Sequence, residues 1–117
     1  MPFRQLATAE LANLLSVLSH PQRIRIIEEL RSQEHDVNFL ADALGTSHSR
    51  VSQHLALLRN HRLVETRREG RHVYYHLSRG ELATWLVQGL DFVEAELAHN
   101  ESVRGAVNEA RAEWTRR

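Results

Sequence analysis

Ser47-His48-Ser49-Arg50-Val51-Ser52-Gln53-His54-Leu55 is followed closely by an arginine-rich stretch from Leu63 to Leu77, and these two segments decide the fold. Val51, Leu55 and Leu58 recur at i, i+4 and i+7, the spacing of one buried helical stripe, so a helix is expected from about Ser47 to His61. With that stripe inward, Ser49, Arg50, Ser52, Gln53 and Ala56 lie on or beside the outer face. His54 borders the buried face, where packing and backbone contact are both open to it. Leu63-Val64 then opens a strand, Glu69-Gly70 is read as the turn, and Val73, Tyr75 and Leu77 alternate inward against His72, Tyr74 and His76. This hairpin carries Arg67, Arg68, Arg71 and His72 around Gly70.

Working outward, a short helix is expected over Val37 to Leu44, with Phe39, Leu40 and Leu44 inward. Gly45 suits a left-handed cap, and Thr46-Ser47 restarts the chain with a new N-cap. Two helices joined by a short glycine-containing turn make a helix-turn-helix, the second being the reading helix, and the hairpin behind it is a wing. Upstream, Leu11, Leu14, Leu15 and Leu18 predict a helix from Thr8 to Leu18. Ser19-His20-Pro21 breaks it, and a second helix to about Gln33 is expected to bury Ile24, Ile27 and Leu30. Downstream, Leu82, Trp85, Leu86, Leu90, Val93 and Leu97 form the stripe of a long helix over Ser78 to His99. A last helix, from Ser102 to about residue 115, carries Val103, Val107, Ala110 and Trp114. The expected class is mainly α with a small β-hairpin, a winged helix-turn-helix forming one domain over residues 1–117.

At 117 residues the chain is long enough for one domain with its own core. Its 42% hydrophobic and 26% charged residues are ordinary for a globular protein, and no apolar run reaches the length of a membrane span. Met1-Pro2-Phe3-Arg4-Gln5 lacks the apolar core of a signal peptide, so a cytoplasmic location is expected. Cysteine is absent, which removes disulfides, thiolate metal sites and thiol redox chemistry.

The net charge of zero conceals a segregation. Residues 1–47 hold four Arg against six acids, a net −2, and residues 80–117 hold four against seven, a net −3. Residues 48–79 hold seven Arg (50, 59, 62, 67, 68, 71 and 79) against Glu65 and Glu69, a net +5. The basic excess thus falls on the expected reading helix and wing. Serine and glutamine both donate and accept hydrogen bonds, and Arg50 is suited to guanine or phosphate. Arginines on the wing supply the phosphate attraction that dominates affinity for DNA. A merely solvated helix face carries serine and glutamine too, and a charged hairpin alone is commonly just solvated. Their adjacency points to DNA contact, the alternative being a winged-helix protein-interaction module that has lost it. No cysteine nucleophile, glycine-rich phosphate loop or evident Ser-His-Asp arrangement suggests an enzyme.

Val51-Ser52-Gln53-His54-Leu55, Leu57-Leu58-Arg59, Leu63-Val64 and Arg68-Glu69-Gly70-Arg71-His72-Val73-Tyr74-Tyr75-His76-Leu77 resemble the ArsR/SmtB family of bacterial winged-helix repressors over about residues 10–98. The resemblance implies a homodimer that binds an imperfect AT-rich palindrome in promoters and lets go when an inducer binds. It places Ser49, Arg50, Ser52, Gln53 and His54 at the major groove and Arg68, Arg71 and His72 at the wing tip; Ser47, His48 and Arg67 are expected to share in the DNA contact. It also implies a cytoplasmic protein, nucleoid-associated when bound.

The sensor positions of the family do not carry over. Where some members place thiolates, this chain has His35-Asp36-Val37-Asn38. A second family site falls on Arg79, Glu81, Phe92 and Ala95, of which Phe and Ala cannot ligate and Arg repels a cation. No cofactor and no standard metal site is therefore expected. His35 with Asp36, and His99 with Glu96 and Glu101, remain as nonstandard candidates. His48, His54, His61, His72 and His76 lie in the basic half, where protonation would strengthen DNA binding. The stripe Leu82, Trp85, Leu86, Leu90, Val93 and Leu97 is read as dimer interface with Leu11, Leu14 and Leu18; lining a pocket for an organic inducer is the other reading.

Overall fold

The computed structural model describes residues 2–97 and 101–116, with the side chain of Val103 outside that description. The chain divides into two compact units, Met1–Arg79 and Gly80–Arg117. The first unit contains α1 (Pro2–Leu18), α2 (Pro21–Glu29), α3 (Val37–Leu44), α4 (His48–Asn60), β1 (Val64–Glu69) and β2 (His72–Leu77). The second contains α5 (Glu81–Glu96) and α6 (Glu101–Thr115). No helix among the described residues is long and apolar enough to cross a membrane.

Helix α1 begins six residues earlier than its leucine periodicity predicts. Thr8, expected near its start, lies inside it and turns its hydroxyl back to Arg4 O at 2.9 Å. Pro2 is tolerated there because the first helical N–H groups have no intrahelical partner. Only Val17 and Leu18 of this helix are buried, while Phe3, Leu6, Leu11 and Leu15 are exposed.

Helix α2 ends at Glu29, short of the expected Gln33. The four following residues instead bring Glu34 to Arg67 and His35 to the hairpin. His35 and Tyr75 exchange backbone hydrogen bonds of 3.1 and 2.8 Å, a one-residue extension of the sheet. Continuing the helix would forfeit that bridge, so tertiary pairing overrides propensity. Ile26, Ile27 and Leu30 are buried, with Ile24 half-buried. Glu28 and Glu29 are buried as well, and Arg25 pairs with both while its Nη2 donates to Ala43 O of α3 at 3.2 Å. Arg25-x-x-Glu28-Glu29 has helical ion-pair spacing, so that signal was present in the sequence.

In α3 the buried positions are Leu40 and Ala41, with Val37 and Leu44 half-buried. Phe39, expected inward, is off this stripe and 41% exposed, its ring stacked on His35 at 3.7 Å. Val51, Leu55 and Leu58 of α4 are fully buried as expected, each contributing roughly 1.5–3 kcal/mol.

The hairpin pairs Val64 with Leu77 through Glu69 with His72, so Gly70-Arg71 forms the two-residue turn, one position later than read from the sequence. Gly70 alone in that turn has positive φ, at 60°, the pattern of a type II′ turn. The expected inward–outward alternation is not expressed in burial, since Val73 through Leu77 are all half-buried. Ser78, expected to start the next helix, donates its N–H to Leu63 O at 3.0 Å and closes the hairpin base.

In the second unit α6 packs on α5, with Arg111 ion-paired to Asp91 at 2.8 Å and to Glu94. Val107 and Trp114 are buried, and Ala110 is half-buried. His99 lies outside the described residues.

Candidate nucleic-acid interface

Three local devices set the reading helix. Asp36 Oδ1 accepts from Phe39 N at 2.8 Å, capping α3, so this carboxylate of the His35-Asp36 metal candidate already serves a helix end. Gly45 takes the left-handed conformation at φ 65°, with Gly45 N bonded to Asp42 O and Thr46 N to Ala41 O. These are the paired bonds of a Schellman stop. Ser47 Oγ then accepts from Arg50 N at 3.1 Å and starts α4. The far end of α4 stops the same way, with Arg62 N bonded to Arg59 O and Leu63 N to Leu58 O, both at 2.9 Å. Here the left-handed residue is Arg62, at φ 61°, where glycine would be unstrained.

Above the buried stripe of α4, the residues Ser47, His48, Ser49, Arg50, Ser52 and Gln53 are all exposed. His54 is placed differently. It is half-buried, with Nε2 at 3.1 Å from Gln22 Oε1 and Nδ1 at 3.5 Å from Arg23 Nη1 of α2. Burial, reinforced by His20, Arg23 and Arg50, holds its pKa below the ordinary histidine value. The structure thus docks His54, which spacing places at the border of the buried face, on α2, apart from the exposed residues with which the family resemblance groups it.

The wing divides similarly. Arg68, Arg71 and His72 are exposed, and among the described residues neither Arg68 nor Arg71 is in an ion pair. Arg67 is engaged three ways. Its guanidinium forks onto both carboxylate oxygens of Glu34, reaches Glu69 Oε2 at 3.0 Å, and lies 4.8 Å over the ring of Tyr74. The Glu34 hydrogen bond, then that of Glu69, raises the Arg67 pKa, and Arg67 in turn lowers that of Glu34. Arg67 therefore ties the wing to the segment before α3, a role the sequence reading missed. The only hint of it in the sequence is an acid, Glu34, well upstream of an arginine-rich strand.

An open groove of about 570 Å³ lies at the hairpin base, lined by Arg59, Arg62, Val64, Glu65, Thr66, His76 and Ser78. Its His76 Nε2 is 3.3 Å from Glu65 Oε1. Among the described residues no three His, Cys, Asp or Glu side chains converge as a metal-holding group.

Of the residues expected at a dimer interface, Leu11 is exposed, Leu14 half-buried, and Leu18 already taken into the core of its own unit. On α5, Leu82, Leu86 and Leu90 are half-buried, while Trp85, Val93 and the C-cap residue Leu97 are exposed.

Residues 20–66, which span α2 through the first half of β1, match the bacterial regulatory protein arsR family. The transcriptional activator HlyU of Vibrio cholerae is 39% identical over 75 residues, 64% of this chain and 69% of that protein. The chain belongs to the ArsR family. A transcriptional repressor SmtB homolog of Synechocystis sp. is 45% identical over 69 residues; the match covers 59% of this chain but only 52% of that relative's length. Among solved structures, the homodimeric winged helix-turn-helix DNA-binding domain Mb0332 of Mycobacterium bovis is 26% identical, with a TM-score of 0.71 over 83% of this chain and 90% of that one. The winged helix-turn-helix architecture is therefore that of this family.

Proposed function

We propose that this ArsR-family chain is a sequence-specific DNA-binding transcriptional regulator, a repressor, that grips a palindromic promoter operator as a homodimer. The observation that carries the reading is the two-sidedness of α4: Val51, Leu55 and Leu58 are fully buried, while Ser49, Arg50, Ser52 and Gln53 stand exposed on the other side. Such a face matches the donor and acceptor pattern of base edges in a major groove. Arg68, Arg71 and His72 on the wing supply phosphate contacts that fix register.

A homodimer is supported by the exposed apolar residues of α1 and α5 and by the homodimeric Mb0332 domain. Residues 1–117 act as one functional domain in this reading, with the C-terminal helix thickening the interface or covering a pocket, and with a small-molecule inducer as the partner that releases DNA. The location is cytoplasmic, nucleoid-associated when bound. Repression is favoured by the SmtB homolog, and activation is the alternative set by HlyU.

The test is a mobility shift on fragments upstream of the chain's own gene, coupled to a reporter. A salt-sensitive shift of one fragment together with lower reporter output is expected. A fragment that shifts while output rises would reverse the sign of regulation, and no shift on any fragment would overturn DNA binding itself.

A further inference from the structure

His54 is gripped from α2 on both ring nitrogens. Gln22 Oε1 can only accept, and Arg23 Nη1 can only donate. One state of the ring serves both: the neutral imidazole with its proton on Nε2 and a lone pair on Nδ1. Arg23 is not free to turn away, because its Nε donates to Val17 O at 2.5 Å. His20 is the third neighbour, its ring centroid 4.5 Å from that of His54, and its Nδ1 accepts from Gln22 N at 3.1 Å to cap α2. The charged or titratable groups that bear on the ring are His20 and Arg23 from α2 and Arg50 from α4 itself. None of the groups that shift its pKa belongs to α3 or β1, which also pack on α4. No carboxylate stands in that set to receive a positive charge.

We propose that His54 is a positioning residue for the reading helix: as a neutral imidazole it ties α4 to the start of α2, and on protonation it lets go. The imidazolium would turn an N–H toward the N–H of Arg23, losing that acceptor and adding a cation beside two others. This regulation of α4 rests on the function proposed above, although the clamp itself is a property of the fold. The lowered pKa fixes the sign. The clamp is at full strength above about pH 6.5, the ordinary histidine value, and weakens as pH falls below it, levelling off beneath the docked ring's own pKa.

Two variants of the full chain test this. His54→Gln keeps an amide that can donate to Gln22 but does not titrate. Gln22→Glu sets a carboxylate against Nε2, and an acid at a helix N-terminus is well tolerated. Ring titration by NMR should place His54 below pH 6.5, and Gln22→Glu should move it upward. Between pH 7.5 and 5 the wild-type urea midpoint should fall further than that of His54→Gln. Each pH unit of displacement corresponds to about a tenfold loss of the docked form. Operator affinity should drop less on acidification in His54→Gln than in wild type. A ring titrating at or above 6.5, or wild-type and variant stability profiles that superimpose, would overturn the clamp. Should His54→Gln fail to fold, the direction of the ring's shift in Gln22→Glu still decides. If no form of the protein shifts promoter DNA at any pH, the proposed function falls, while ring titration and urea midpoints still judge the clamp.

Discussion

Helices α1 and α4 of the same unit have the same apolar signature and opposite fates. In α4 the stripe Val51, Leu55, Leu58 is fully buried, and Ser52, Gln53 and His54 between its first two members are polar. In α1, Leu11 and Leu15 stand 51% and 50% exposed, and Phe3 82% exposed, with burial confined to Val17 and Leu18 at its end. Periodicity reports that a face is apolar; it does not report what covers it. For α4 the cover is its own chain, through α2, α3 and β1. For α1 we propose that the cover is a second copy.

The sharpest way to break this contrast is to empty both stripes. Leu55→Ala should cost about 2–5 kcal/mol in urea unfolding, because it leaves a cavity in a closed core. Leu11→Ala, measured where the chain is monomeric, should cost well under that and show instead as weaker association by sedimentation. Equal losses of monomer stability would mean that the two faces are not different after all.

A second pair of variants separates the outer face of α4 from the wing. Gln53→Ala should remove about 1–3 kcal/mol of discrimination between operators. Arg71→Ala should weaken binding to every sequence and reduce the salt slope by about one. If both variants change discrimination and salt slope alike, the proposed division between base reading and phosphate contact is wrong.

The two Schellman stops allow a smaller test. Gly45 ends α3 without strain, whereas Arg62 ends α4 at φ 61° with a side chain. Arg62→Gly should relieve about 1 kcal/mol of left-handed strain and raise the thermal midpoint; an unchanged or lower midpoint would show that the guanidinium is held by something worth as much.

The smallest effect concerns the wing's tether. The lowered Glu34 pKa means its stabilisation is present above the ordinary carboxylate value of 4.5 and lost as pH falls through the depressed one. Glu34→Gln should flatten that acid-side loss of hairpin order, read from Tyr74 and Tyr75 resonances, and leave neutral-pH folding nearly intact. An acid profile identical to wild type would remove the tether from the account.

Much of the first unit was legible because it is local. Gly45, Ser47 and the i, i+4, i+7 run of α4 each act within a few residues, so spacing alone locates them. Misreadings came where distant residues intervene. Gln33 fell outside α2 because His35 pairs with Tyr75, forty residues away along the chain. Hydrophobicity alone predicts Phe39 inward, but its ring lies on His35 rather than on the Leu40-Ala41 stripe. The wing turn slipped by one because Glu69 remains paired with His72.

The candidate site divides along the same line. By itself the sequence determined that a helix with a polar outer face and a basic hairpin follow one another, since both are periodic patterns within about thirty residues. Only the tertiary structure decided which of those polar groups stay available. In sequence His54 and Arg67 are the immediate neighbours of Gln53 and Arg68, on the same helix and the same strand. The fold commits the first two to Gln22, Arg23 and Glu34 and leaves the second two at the surface. The reason is physical: a hydrogen-bonding side chain goes to whichever partner the backbone brings within about 3 Å, and for these residues that partner lies some thirty positions away in the chain.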